Sequence, residues 1–147
     1  MDILIKLHKE HMLVKKLVRQ MVDSDSSSRR TKLFAKFKTD LVKHSRSEEK
    51  VVYDAISKLR GEKNKEESAE GYIEHSLVDV LLTKLGKAKN KATIEWTAGI
   101  KVVKELLEHH IKEEQDEVFD AVRKHFSVEE RSTMNKDFEA HKKMVRA

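Results

Sequence analysis

Apolar residues recur three or four positions apart in four long segments. Leu4, Leu7, Val14, Val18 and Met21 mark a first helix from about Asp2 to Val22, and Leu33, Phe37, Leu41, Val51, Ala55 and Leu59 a second from about Arg30 to Leu59. Val78, Leu81, Leu82 and Leu85 mark a third, roughly Ser68 to Leu85. Trp96, Ile100, Val103, Leu107, Val118 and Ala121 mark a fourth, about Ala92 to His125. This spacing lines one face of an α-helix. The polar stretches Asp23 to Arg29, Arg60 to Glu70 and Leu85 to Lys91 read as connections. After His125, Ser127 and Glu130 have the spacing of a capping box, opening a short fifth helix with Met134, Phe138 and Val145 on its stripe. Short connections make successive helices neighbours. The pattern therefore predicts an all-α chain: one domain over residues 1–147, an up-down-up-down antiparallel four-helix bundle with a short C-terminal fifth helix packed across it.

Composition sharpens this picture. There is no proline, glycine occurs four times, and 39% of residues are charged, which suits long amphipathic helices better than a turn-rich β fold. The net charge of +5 comes from 31 basic residues interleaved with 26 acidic ones. That reads as a mixed solvated surface, so no nucleic-acid partner is expected. With no cysteine there can be no disulfide, no thiolate metal site and no cysteine nucleophile. No apolar run approaches the roughly 18 residues of a membrane span, and MDILIKLHKEH lacks the uninterrupted apolar stretch of a signal peptide. A soluble cytoplasmic protein with no membrane partner, most simply a monomer, is the expectation. Eight histidines are the one compositional excess.

Each histidine can be tested against the stripe of its own helix, since successive residues turn about 100°. His11 continues the series Leu4, Leu7, Val14 and Val18, whereas His8 lies about 60° to one side. His44 and Glu48 both fall in the arc of Leu41 and Val51, while Glu49, about 100° further round, faces solvent. His75 sits at the edge of the arc set by Val78, Leu82 and Leu85. His110 and Glu114 lie on the stripe with Val103, Leu107 and Ala121, and His109 is rotated about 100° away. An internal similarity picks out the same pair. Aligning His44 with His110 also aligns Glu48 with Glu114, Tyr53 with Phe119, Asp54 with Asp120 and Ala55 with Ala121. His109, His125 and His141 read as surface or bundle-end residues. His8, Asp79 and Glu117 lie near the site faces, and Tyr72, one turn before His75, is a candidate to reach the same site.

Two carboxylates in apolar stripes would each cost several kcal/mol if buried unpaired. Four inward histidines beside them make a metal site the economical explanation. Two His-x3-Glu pairs from facing helices, with one histidine from each of the other two, can hold two metal ions in a bundle core and leave positions for a small ligand. Imidazole and carboxylate donors suit iron, manganese or zinc.

The ordered set His11, His44-x3-Glu48, His75 and His110-x3-Glu114, at separations of 33, 31 and 35 residues, resembles the hemerythrin-like HHE cation-binding domain over essentially the whole chain. The resemblance implies a non-heme di-iron four-helix bundle, with two iron ions joined by an oxo or hydroxo group and bridged by Glu48 and Glu114. It implies metal ligands His11, His44, Glu48, His75, His110 and Glu114, and dioxygen, peroxide or nitric oxide as the small ligand in sensing, storage or detoxification. Two departures from the respiratory hemerythrins stand out. Their third helix carries His-x3-His where this chain has His75 followed by Asp79, and their last motif is His-x4-Asp where this chain has His110-x3-Glu114. One fewer imidazole leaves a further position open, which favours iron chemistry over simple storage. The alternatives are a catalase- or peroxidase-like enzyme using the same site, for which no dedicated proton donor stands out, and a metal-free basic helical binding module.

Overall fold

A computed structural model describes all 147 residues, and it is entirely helical. Helix α1 runs Ile3–Asp23 and α2 runs Ser27–Glu48. The latter continues through a π-helical stretch, Glu49–Tyr53, into the short α3, Asp54–Ser57. Then come α4, Glu62–Lys87, and α5, Ile94–Glu113, which passes through a second π-helical stretch, Glu114–Val118, into α6, Phe119–His125; α7, Val128–Met144, ends the order. No helix is long and apolar enough to cross a membrane.

Local chemistry sets the helix boundaries. Asp2, Ser26 and Thr93 each accept a backbone N–H of the first turn they cap. The predicted capping box is present at Ser127 and Glu130. Two predicted boundaries move. The second helix begins at Ser27 rather than Arg30 because Ser26 supplies the cap. The third begins at Glu62, inside the stretch read as a connection, because Gly61 at φ 100 reverses the chain there and EKNKEESAE contains nothing to interrupt a helix.

Helix α1 packs against α2 and α5, α4 packs against α5 and α2, and α7 lies over α1, α2 and the first π stretch. Two apolar cores result. One gathers Val14, Leu17, Val18, Phe37, Leu41, Val78, Leu82, Trp96, Ile100, Val103 and Leu107 among others. The second gathers Ile3, Leu7, Val52, Tyr53, Ile56, Val118, Phe119, Val122, Met134 and Phe138. In α1, α2 and α5 the polar inward residues fall between the two cores along the helix. Beyond Glu48 the predicted inward set Val51, Ala55 and Leu59 is corrected: Val52, Tyr53 and Ile56 are fully buried and the predicted three only half-buried. The π turn inserts one extra residue and shifts the stripe by one position. Val145, placed on the fifth helix's stripe by periodicity, lies just past its end.

Arg30 ties down the connections at the far end of the first core. It is 3% exposed, donates from Nε to the Met21 carbonyl at 2.9 Å, and donates from Nη1 to the Lys91 carbonyl and Thr97 Oγ1, both at 2.8 Å. Its guanidinium also lies over the Trp96 ring, 5.2 Å from the centroid. Arg30→Ala is expected to cost about 3 kcal/mol in urea unfolding, and Arg30→Lys to recover little of it, because an ammonium cannot reproduce the planar fork. Equal stability of Arg30→Lys and the parent would refute this account.

Candidate metal centre

The six residues predicted from spacing converge in the layer between the two cores. His11, His44, Glu48, His75, His110 and Glu114 are all buried, Glu48 with no exposed surface. His11 Nε2 lies 3.1 Å from Glu114 Oε1 and 4.0 Å from Glu48 Oε2. His44 Nε2 is 3.5 Å from Glu48 Oε2, His75 Nε2 is 3.2 Å from Glu48 Oε1, and His110 Nε2 is 3.1 Å from Glu114 Oε2. Two groups with the reach to hold a cation emerge: His11, His44, Glu48 and Glu114, and Glu48, His75, His110 and Glu114. They share both carboxylates.

The outer nitrogens explain the convergence. His44 Nδ1 meets Glu10 Oε1 at 2.9 Å and His75 Nδ1 meets Glu49 Oε2 at 2.8 Å. His110 Nδ1 meets Glu74 Oε1 at 2.8 Å, and His11 Nδ1 meets Gln115 Oε1 at 3.2 Å. Every partner is a carboxylate or amide oxygen, so each Nδ1 carries the hydrogen and donates it, which turns Nε2 inward as the free donor atom. Sequence reading missed these four partners. Glu49, read as facing solvent, is a correction: it is half-buried and holds His75 in place. A signal was available, because each partner is the immediate chain neighbour of a site residue: Glu10 of His11, Glu49 of Glu48, Glu74 of His75 and Gln115 of Glu114.

Tyr53 was also missed as a site residue. Its ring is fully buried, and its hydroxyl donates to Glu114 Oε2 at 2.5 Å and lies 3.2 Å from His110 Nε2. The internal similarity aligned it with Phe119, whose ring stacks on His11, so both aligned aromatics touch the site. Gly71 makes room for it: a Cβ there would meet the Tyr53 ring at 2.5 Å. Tyr72 points elsewhere, donating to Asp54 Oδ1 at 2.6 Å and to the Glu49 carbonyl, although its ring packs against that of Tyr53. Asp79 pairs with Arg46 at 2.8 Å, and Arg46 also holds Glu49. His8, His109 and His125 are exposed, and His141 is half-buried beside Ser47 Oγ.

The electrostatics of the layer favour positive charge. Burial alone would lower the histidine pKa values, but the carboxylates outweigh it. Glu48 and Glu10 raise His44 to about 10, Glu48 and Glu49 raise His75, and Glu114 and Glu74 raise His110 well above the usual imidazole range. Burial would likewise raise Glu114, yet its contacts with Glu48, His11 and His110 hold it well below the usual carboxylate range. Burial, then Glu114 and Glu48, push the Tyr53 phenol well above its ordinary value. Both oxygens of Glu48, Glu114 Oε1 and His11 Nε2 make no well-aligned hydrogen bond and instead face one another or a neighbouring Nε2 across 3.1 to 4.0 Å. A set of inward imidazole nitrogens and carboxylate oxygens, short of well-aligned hydrogen bonds and with no thiolate, fits a divalent cation. Beside it lies a cavity of about 10 Å³, room for about one water-sized molecule. Its walls are the four histidines, Ser45, Glu74 and the side chains of Val14, Leu41, Val78, Leu107 and Ile111.

The pattern of the hemerythrin HHE cation-binding domain matches residues 2–122. The chain belongs to that family. An uncharacterized hemerythrin-like protein of Schizosaccharomyces pombe is 31% identical over 144 residues, covering 98% of this chain and 69% of the relative. A DNA nickase of a Nostoc species is 24% identical over 145 residues, covering 99% of this chain but 40% of the relative. No solved structure matches. For an HHE domain the buried His and Glu cluster is where a cation would be held.

Without a cation, positive charge in this layer has to come from protons. A histidine whose folded pKa is raised from 6.5 to about 10 adds stability that is complete below 6.5 and disappears as pH rises through 10. The metal-free protein is therefore expected to lose stability between those values in thermal melts. Ferrous iron binding at pH 7 should release protons, seen as a calorimetric enthalpy that depends on the buffer. A buffer-independent enthalpy would contradict the protonated layer.

Proposed function

We propose that His11, His44, Glu48, His75, His110 and Glu114 hold two iron ions, spanned by Glu48 and Glu114, and that this centre binds dioxygen or a related small ligand, peroxide or nitric oxide, for sensing, storage or detoxification. The observation that carries the reading is that two four-residue groups share both carboxylates. Iron in such a site supplies one-electron redox chemistry and an open position for a small ligand. Manganese or zinc would suit the same donors. The protein's part is to fix the four histidines through their Nδ1 hydrogens, and to exclude bulk water with Val14, Leu41, Val78, Leu107 and Ile111 around a space for about one water-sized molecule.

The helix order that fits this site is up-down-up-down. Its connections are short, and the orienting partner lies one residue before the inward one in α1 and α4, and one residue after it in the two π stretches. Antiparallel neighbours require that alternation for all four partners to point the same way around the bundle.

The catalase- or peroxidase-like reading gains one observation, the Tyr53 hydroxyl, a buried O–H held on Glu114 Oε2. In that reading it supplies and recovers a proton inside the closed site. Strand cleavage, named for the Nostoc relative, is not carried over, because this chain spans less than half of that protein.

Anaerobic loading with ferrous iron should take up two ions per chain, and exposure to air should bring in ferric charge-transfer absorption. Glu48→Gln and Glu114→Gln are each expected to weaken binding by roughly tenfold or more. One ion per chain, or none, defeats the di-iron assignment. Tyr53→Phe at equal iron content should slow oxygen evolution from peroxide if the enzymatic reading holds; an unchanged rate removes it.

A further inference from the structure

A small cavity between α4 and the second π stretch faces the buried layer from outside. Six glutamates line it: Glu67, Glu70, Glu74, Glu113, Glu114 and Glu117. No lysine or arginine does, although the chain carries a net +5. Three other depressions contain basic residues: Lys43 and Lys142 in one, Lys15, Lys16 and Arg19 in another, Arg46 and Lys50 in a third. The inner wall of the acidic cavity is Glu114 with His110, the same residues that face the proposed centre. Glu114 is 2% exposed; its Oε2 meets the cavity residues Tyr53 and His110, and its Oε1 reaches on into the buried layer, 3.1 Å from His11 Nε2. Glu67, also more than nine-tenths buried, has a single ion-pair contact, 3.7 Å to Lys63, whose own side chain is 81% exposed. Ligand atoms of Glu74 and Glu113, which line the cavity, and of the exposed His109, which does not, lie within 4.8 Å of one another, a grouping able to hold a cation. Glu74 also bonds His110 Nδ1, so the outer group and the buried layer share a wall.

We propose that this cavity is the loading entrance for divalent transition-metal ions, with Glu74, His109 and Glu113 as the first, exchangeable docking point and Glu114 as the acceptor at its inner end. The inference rests on the two-ion reading of the buried layer. A low-dielectric cleft lined with one sign of charge concentrates counter-ions and raises their rate of entry. Gly71 and the Tyr53 ring packed on it complete the wall.

The test follows uptake of cobalt(II) by the metal-free protein in stopped flow, read by its visible ligand-field absorption. The mouth variant carries Glu70→Gln, Glu113→Gln and Glu117→Gln. A control carries Glu95→Gln, Glu105→Gln and Glu129→Gln, which are exposed elsewhere and change the net charge equally. At low ionic strength the mouth variant should load roughly tenfold more slowly than the parent, with the same final number of ions, and the control at the parental rate. The parental rate should fall steeply with added salt and that of the mouth variant only weakly. Equal rates in all three proteins, or equal slowing in both variants, overturn the entrance while leaving the centre intact. A parent that takes up no cobalt overturns the buried centre itself and the entrance with it.

Discussion

The structure depends on one repeated interaction: a side-chain oxygen from each helical segment accepts the Nδ1 hydrogen of the next segment's histidine. Glu10 of α1 holds His44 of α2, and Glu49 of the first π stretch holds His75 of α4. Glu74 of α4 holds His110 of α5, and Gln115 of the second π stretch holds His11 of α1, which closes the cycle. The contacts tie neighbouring segments together in turn. They also fix each ring's orientation, which aims the four Nε2 atoms at the shared carboxylates Glu48 and Glu114. Packing of the helices and direction of the donor atoms are therefore one constraint, and an error in helix rotation would be felt in both.

A polar layer of this kind is costly to bury. Each unpaired carboxylate between apolar cores would oppose folding by several kcal/mol. The cost is met by flanking it with two separate cores and by giving every histidine two acidic or amide neighbours. The two π stretches make this geometry possible. Both begin at or just after a buried glutamate, Glu48 or Glu114, and each advances the stripe by one residue so that large side chains, Val52 and Tyr53 or Val118 and Phe119, close the layer beneath. A regular helix would have turned Tyr53 away from Glu114. π turns inside α-helices concentrate at functional sites for such reasons.

What the sequence discloses follows from what periodicity can express. The six inward residues, and the choice of His110 over its neighbour His109, are directions on a regular wheel, and a wheel reads directions well. The capping box at Ser127 and Glu130 is a local signal and was equally plain. The orienting acids were hidden because Glu10, Glu49 and Glu74 lie about 100° off the stripe, where an acid ordinarily faces water. Only the neighbouring helix gives them a partner. The π turns were hidden because no residue type marks them, and so the stripe beyond Glu48 was read one position out of step.

The cycle is not symmetric, and the asymmetry bears on chemistry. Three histidines are backed by carboxylates, which make an imidazole a stronger electron donor, but His11 is backed by the neutral amide of Gln115. Tyr53 stands on the other side, at His110 and Glu114, where the carboxylate shares its oxygen with a phenol hydrogen. The two groups that share Glu48 and Glu114 thus differ. One contains the weakly backed His11 next to the apolar face of Phe119, while the other contains two carboxylate-backed histidines and a nearby proton. Two ions held there would be inequivalent, and a small ligand needing a proton would find it on the His75 and His110 side.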